Sequence, residues 1–202
     1  SLTVWAAEAR TRFQTNQGDS VGGANFRAYD LVGAMARRLL RSLGKANMAQ
    51  AHAVEAVLDS LGLDTEVTLD PESPGFVLVM VHNPFRLTAR SIGFLYWYRG
   101  DDLRIQGVLF EHGKKPDMRV WWTARRDAPY EWGIIDRGAK GELGLLLLRL
   151  NAEGYYWVIV QYPGGNEPDL GDGSAAWVDV DRDGRPEIAS WTHAQPDTSF
   201  DE

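Results

Sequence analysis

Four carboxylates stand close together near the C-terminal end of the chain. Asp179, Asp181 and Asp183 occupy alternate positions, Gly184 follows the third aspartate, and Glu187 comes shortly after it. Acidic side chains that are held together in a folded protein repel one another unless a cation or water compensates their charge. Calcium takes six to eight oxygen ligands, and carboxylates are prominent among them. The spacing therefore predicts a calcium site.

We predict five protein ligands for this site. Besides the three aspartate carboxylates, we expect the backbone carbonyl of Arg185 and the carboxylate of Glu187 to contact the ion. The flanking segments AAWV and EIASW are strand-like, and Gly184 permits a sharp turn between them. An EF-hand needs a bidentate acid at its closing position, where Ser190 stands. We therefore expect a strand–loop–strand metal site in which calcium is structural; the alternative is a solvated acidic turn.

Residues 175–191 resemble the calcium loops of FG-GAP and VCBS repeats. The resemblance lies in the pattern D-x-D-x-D-G-x-x-E followed by Ile188. In those repeats, which occur in integrin-type propellers and in many exported bacterial proteins, the acid after the third aspartate closes the site. The resemblance implies a metal-bearing strand–loop–strand unit. It does not imply a propeller, because a propeller repeats its four-stranded blade several times and the sequence has no second copy of this loop.

The metal loop also bears on the compartment in which the protein works. Calcium sites with dissociation constants of roughly 10⁻⁴ to 10⁻³ M are filled outside the cytosol. We therefore expect an extracytoplasmic protein, whether periplasmic, lipoprotein-anchored or secreted. The sequence begins at Ser1 without Met, for which a removed leader peptide and a tag remnant are equal explanations. No apolar stretch is long enough to predict a transmembrane segment.

Composition excludes several classes of function. The formal net charge of −7 and the sequence pI of about 5.1 argue against nucleic-acid binding, which needs a positive surface. The absence of cysteine excludes disulfides, a thiol nucleophile and thiolate metal sites. A length of 202 residues suits one domain. We expect a mainly helical segment over 1–62 and a β-rich segment over 64–202.

Two amphipathic helices are predicted in the first part of the chain. The first begins at Phe26 and stops at Gly44; the second has Asn47 as its N-cap and Gly62 as its stop. A shorter helix is expected over residues 3–13. The apolar stripe of the first helix consists of Val32, Met35, Leu39, Leu40 and Leu43.

Eight strand-like segments follow in close succession from residue 65. They are TEVTL, FVLVMVH, IGFLYWY, LRIQGVLF, MRVWWT, YEWGII, LGLLLLRL and YYWVIVQ. The segments YRGDDL and LNAEGY are typical of hairpin turns. The pattern predicts an α+β fold in which an N-terminal helical pair packs on a largely antiparallel β-meander, shaped as a sandwich or partial barrel.

Residues 52–90 are similar to the C-terminal region of certain bacterial winged-helix regulators. The similarity rests on SLGLDTEV and HNPFRLTAR. Asn83 stands where that family has a cysteine, and no DNA-binding winged helix precedes the segment. The similarity implies an intracellular domain that senses a small molecule.

No residue is marked as catalytic by a motif. The sequence lacks the G-x-S-x-G, P-loop and G-x-G-x-x-G patterns. The histidines, at 52, 82, 112 and 193, have no zinc spacing. Glu111 with His112, and Glu131 with Asp136, are the acid–base candidates, although such pairs are common on surfaces.

The strands carry many aromatic residues, grouped as FLYWY, VWW, YEW and YYW. A row of exposed rings can stack on sugars or receive an apolar peptide, whereas burial of both sheet faces would place the rings in a core. Arg99-Gly100-Asp101 is the integrin tripeptide, but its residues are also what a hairpin turn selects.

These observations favour an exported, calcium-stabilised binding or accessory domain that contacts a glycan, peptide or partner subunit, and they lean against an enzyme. The alternatives are a hydrolase that uses dispersed carboxylates with structural calcium, or an intracellular small-molecule-sensing domain. The sequence does not specify the ligand or the oligomeric state.

Overall fold

The computed structural model describes residues 1–15, 24–69, 75–86, 91–110, 117–121, 131–137, 143–150, 156–162, 174–182 and 187–191. Side chains are included for residues 1–15, 26–69, 75–86, 91–107 and 178–182. The described helices are α1 (Leu2–Thr15), α2 (Ala24–Leu43) and α3 (His52–Ser60), with a 3₁₀ turn at Lys45–Gln50. The described strands are β1 (Asp64–Leu69), β2 (Phe76–His82), β3 (Ser91–Arg99), β4 (Asp102–Phe110), β5 (Asp117–Trp121), β6 (Glu131–Arg137), β7 (Leu143–Leu150), β8 (Tyr156–Tyr162), β9 (Ser174–Val178) and β10 (Glu187–Trp191).

Helix α2 forms because its apolar residues recur at helical spacing. Val32, Met35 and Leu40 are fully buried, which confirms the predicted stripe. The helix ends at the predicted glycine: Gly44 has a φ of 80°, and its N–H donates to the carbonyl of Leu40 at 3.1 Å. A left-handed glycine of this kind closes the last turn of many helices.

The start of α3 differs from the prediction. The side-chain amide of Asn47 donates to the carbonyl of Leu43 at 2.8 Å, so Asn47 satisfies the end of α2 and is not the N-cap of α3. Ala51 precedes α3 and makes no side-chain cap. The stop at Gly62, with a φ of 75°, is as predicted. The helical layer also contains α1, which packs on α2, so it is larger than the expected pair.

The first sheet is an antiparallel meander in the order β1-β2-β3-β4, and the helices pack on one of its faces. Helix α3 is tied to β1, because the Glu55 carboxylate accepts the N–H of Val67 at 2.7 Å. A second meander has the order β5-β6-β7-β8, and β9 pairs with β10. The α+β class and the antiparallel meander are therefore confirmed.

Helix α2 lies close to β3 at Gly33. The Tyr96 hydroxyl donates to the carbonyl of Gly33 at 2.6 Å. A Cβ atom at Gly33 would lie 2.9 Å from the ring of Phe94, which is closer than side chains normally come. A larger residue at position 33 would therefore require the ring of Phe94 to move.

The opposite face of the first sheet is also buried. Leu78, Met80 and Leu95 have no exposed surface, and Trp97 is 4% exposed, yet none of them belongs to the cluster that the helices cover. Alternate residues of a strand point to opposite faces, so β2 and β3 are buried on both. The FLYWY rings Phe94, Tyr96 and Trp97 are accordingly core residues.

Two buried tyrosines should make the fold sensitive to alkaline pH. Burial raises the pKa of Tyr29 to about 12 and raises the pKa of Tyr96 well above its ordinary value. An unfolded tyrosine ionises near pH 10, so stability is fully present below that pH and is lost as the pH rises towards the folded pKa. Above about pH 10 the unfolded Tyr29 releases a proton that the folded Tyr29 keeps, so the free energy of unfolding falls as the pH rises. We expect Tyr29→Phe to remove this contribution of about one proton from the slope.

Urea unfolding between neutral pH and about pH 11 measures this slope. The substitution keeps the edge-on contact of ring 29 with Phe13, whose centroid lies 5.0 Å away. An unchanged slope in the variant would show that Tyr29 ionises equally easily in both states.

Candidate functional site

The predicted metal loop lies between two paired strands. In the β9–β10 hairpin, Glu187 is directly opposite Val178, and Trp191 is opposite Ser174. Because Asp179 follows Val178, the first and last predicted ligands lie at the same end of the hairpin. The strand–loop–strand arrangement predicted from the sequence is present.

The described half of the loop is open to solvent. Asp179 and Asp181 are exposed, and Val180 between them is 67% exposed. Arg182 has a φ of 62°, in the left-handed region that residues other than glycine rarely adopt. That conformation costs on the order of 1 kcal/mol and persists only where surrounding contacts favour it.

The remaining ligands lie outside the described side chains. Asp183 and Arg185 fall within 183–186, and Glu187 is described as backbone only. Among the described side chains, no three His, Asp or Glu groups lie close enough to hold a metal ion. Of the predicted ligand set, this finding covers only Asp179 and Asp181, so the five-ligand site stays a prediction.

A second set of polar side chains, which the sequence did not predict, lies at the end of β2. His82 and Ser91 are 6% and 3% exposed, and they share a hydrogen bond of 2.5 Å between Nδ1 and the hydroxyl. The other ring nitrogen, Nε2, lies 3.8 Å from a carboxylate oxygen of Glu66. It has no hydrogen-bond partner among the described residues.

Serine hydrolases also combine a hydroxyl, an imidazole and a carboxylate, but there the hydroxyl bonds Nε2 and the carboxylate bonds Nδ1, whereas here Ser91 lies on Nδ1 and Glu66 on the Nε2 side. A nucleophile must meet its substrate, however, and the Ser91 hydroxyl belongs to a residue that is almost completely buried. In this conformation the group is structural: it joins β3 to β2, and it places His82 beside Glu66 of β1.

We expect Ser91→Ala to destabilise the fold by about 1–3 kcal/mol. The substitution leaves a buried ring nitrogen of His82 without its partner, and a buried polar atom without a partner costs free energy in this range. Urea unfolding measures the loss. Ser42→Ala is the matched control, because the Ser42 hydroxyl bonds within an exposed helix turn; it should change stability by less than about 0.5 kcal/mol. Equal effects of the two substitutions would contradict a structural role for Ser91.

The other acid–base candidates are not brought together in the described part of the chain. His52 is exposed, and its Nδ1 lies 3.9 Å from Glu55. Glu131 and Asp136 lie on β6, opposite Arg149 and Gly144 respectively. The pair at positions 111 and 112, and the histidine at position 193, lie outside the described residues.

Comparison with known proteins found no relative of this chain. No family model matches the chain, and neither a curated protein nor a solved structure matches it. The two resemblances described above therefore rest on their sequence patterns. None of the described helices has the length and apolar character that crossing a membrane requires.

Proposed function

We propose that this chain is an exported binding or accessory domain, stabilised by one calcium ion bound in the loop between β9 and β10. The observation that supports the proposal most directly is the hairpin register. It sets Glu187 opposite the residue that precedes Asp179, so the two ends of the acidic segment meet at the base of one turn.

In this proposal each residue of the loop has a separate task. Asp179, Asp181 and Asp183 supply carboxylate oxygens, Arg185 supplies its backbone carbonyl, and Glu187 closes the site. The bound ion neutralises the repulsion among the acids and holds the loop, and it takes no part in a reaction. Arg182, between the second and third aspartates, has a left-handed backbone conformation, which is typical of turns.

We further propose that the two meanders form a sandwich or partial barrel. The face of the first sheet that the helices leave uncovered is buried in this single chain, and β1 approaches β5 of the second meander. Packing of the second meander on that face accounts for both observations.

The partner, in this proposal, is a glycan, a peptide or a partner subunit. Phe94, Tyr96 and Trp97 of β3 are buried and do not contribute to its binding. We therefore assign the contact surface to the face of the second meander that carries Trp121 and Trp157, which the strand register places on the same face. Trp132, which is paired with Val120 and Leu148, lies on the other face. Aromatic rings on a sheet can stack on sugar rings or accept apolar peptide groups.

The test of the calcium site is a calorimetric titration of chelator-stripped protein. We expect one bound ion per chain with a dissociation constant of roughly 10⁻⁴ to 10⁻³ M, and no saturable binding for Asp181→Asn. A glycan and peptide array, probed with calcium and with chelator, then tests the binding role. Wild-type protein that binds no calcium would refute the site, and an array without reproducible hits would refute the binding role.

A further inference from the structure

The strands of the second meander divide their residues between two unlike faces. Directly paired residues share a face, and successive residues of a strand alternate, so the register assigns each residue to one face. One face carries five of the six charged residues of these strands, namely Asp117, Arg119, Glu131, Arg137 and Arg149. The other face carries Asp136 and is otherwise mainly apolar, with Val120, Ile134, Leu146 and Leu148. Antiparallel sheets of this pattern pack the apolar face on a core and leave the charged face to water.

One register row crosses the charged face from edge to edge. Trp121 of β5 is paired with Glu131 of β6, Glu131 with Arg149 of β7, and Arg149 with Trp157 of β8. Because β5 and β8 are the outer strands of this meander, a tryptophan stands at each end of the row and two opposite charges stand between them. The spacing of neighbouring strands separates the two tryptophan positions by roughly 14 Å. We call these four residues the Trp row.

A purely structural explanation accounts for part of the Trp row. Opposite charges at directly paired positions stabilise a sheet, so the pairing of Glu131 with Arg149 is useful without any ligand. Tryptophan is also common in strands. Neither preference places a tryptophan at both ends of the row that contains the charged pair, on the face that carries most of the charge.

The composition of the Trp row fits a sugar better than it fits a protein surface. A sugar ring has an apolar face that stacks on an aromatic ring, and hydroxyl groups that bond carboxylate and guanidinium groups. The centre of a protein–protein interface is depleted of acidic residues, whereas Glu131 stands inside this row. Gly133 is the next residue of β6 on the same face, and a glycine within a strand often marks a position that a ligand approaches closely.

We propose that the Trp row binds a neutral oligosaccharide that lies across the strands and reaches both tryptophans. Trp121 and Trp157 stack on two sugar units of the chain, and Glu131 and Arg149 bond hydroxyl groups of the units between them. One acid and one base give the row no net charge, which suits a neutral ligand. A single sugar ring is too short to reach both tryptophans. The site rests on the binding role proposed above and does not depend on the calcium ion.

Isothermal titration with calcium present tests the site. The probes are hexasaccharides of β-linked glucose, mannose and xylose, the corresponding disaccharides, and a hexasaccharide of galacturonic acid as the acidic comparison. We expect a neutral hexasaccharide to bind saturably and more tightly than its disaccharide, because only the longer chain reaches both ends of the row. Trp121→Ala and Trp157→Ala should each weaken hexasaccharide binding about threefold to tenfold, as expected for the loss of one stacking contact. Each should also reduce the advantage of the hexasaccharide over the disaccharide, which a general loss of structure would not do selectively.

Two variants serve as controls, and thermal unfolding shows whether each protein remains folded. Trp121→Phe keeps an aromatic ring and should retain most of the affinity. Trp132→Phe changes a tryptophan on the opposite face of the same sheet and should leave binding unchanged.

The site is overturned if no neutral hexasaccharide binds saturably, if the galacturonic acid chain binds more tightly than every neutral chain, or if hexasaccharide and disaccharide bind equally. It is also overturned if folded Trp121→Ala binds the hexasaccharide as tightly as wild type. A peptide or protein partner whose binding is lost in Trp121→Ala would keep the proposed contact surface and overturn only its assignment to a glycan. A chain that binds neither glycans nor peptides would overturn the binding role itself.

Discussion

Addition of about 10 mM calcium should raise the midpoint of thermal unfolding of the wild-type chain by about 3–10 °C, and Asp181→Asn should abolish the rise. With a dissociation constant of roughly 10⁻⁴ to 10⁻³ M, this concentration stabilises the folded state by about 1–3 kcal/mol. Each kcal/mol moves the midpoint of a domain of this size by about 2–4 °C. Scanning calorimetry with calcium and with chelator gives both midpoints.

The variant also separates the effect of the ion from the effect of charge. In chelator, Asp181→Asn should be no less stable than wild type, because the acids then repel one another without compensation. Asp30→Asn, which changes an exposed aspartate on α2, should keep the full response to calcium. A wild-type midpoint that is equally high in calcium and in chelator would remove the basis for both the site and the expectation of export.

Leu95→Ala should lower the free energy of unfolding by about 2–5 kcal/mol, the range found when a buried leucine is truncated. Leu95 has no exposed surface, although it lies on the sheet face that the helices leave uncovered. A large loss therefore requires that this face be packed as tightly as the helix-covered face. Urea unfolding measures the loss, and an unchanged dependence on urea would show that the same two states are compared.

Two further substitutions calibrate this result. Leu40→Ala truncates an equally buried leucine of α2 under the helices and should cost a similar free energy. Val57→Ala truncates a side chain that is 39% exposed on α3 and should cost clearly less. If Leu95→Ala resembled Val57→Ala, the second sheet face would be loosely covered, and the proposed sandwich would lose its main support.

The sequence predicted helices and strands correctly where a single local feature, such as an apolar run or a glycine that ends a helix, determines the element. Strands β1 to β8 coincide with the eight predicted apolar segments. A short apolar run, alternating or continuous and bounded by turn residues, is typical of a β-strand. Gly44 and Gly62 ended their helices as predicted, since a left-handed residue is needed at each position. The prediction that Asn47 caps α3 was wrong because Lys45–Gln50 form a 3₁₀ turn, so α3 begins only at His52 and the Asn47 amide bonds the carbonyl of Leu43 at the end of α2.

Only those parts of the candidate sites that are formed by neighbours in sequence could be predicted. The hairpin around the acidic loop follows from two short strands that flank a turn, and the register that sets Glu187 opposite Val178, the residue before Asp179, agrees with that pattern. The partners of His82 come from β3 and β1, and only the pairing of three strands decides which hydroxyl and which carboxylate it meets. The residues of the Trp row likewise come from four different strands, and only the register of those strands brings them into one row.

The fold class, the order of the helices and strands, and the turn that carries the acidic residues can be predicted from the linear chain, because each depends on residues that are neighbours in sequence. Three-dimensional packing, in contrast, places Phe94, Tyr96 and Trp97 in the core and buries the first sheet on both faces. Burial and electrostatic fields depend on which distant segments meet in space, and a linear pattern does not record those meetings.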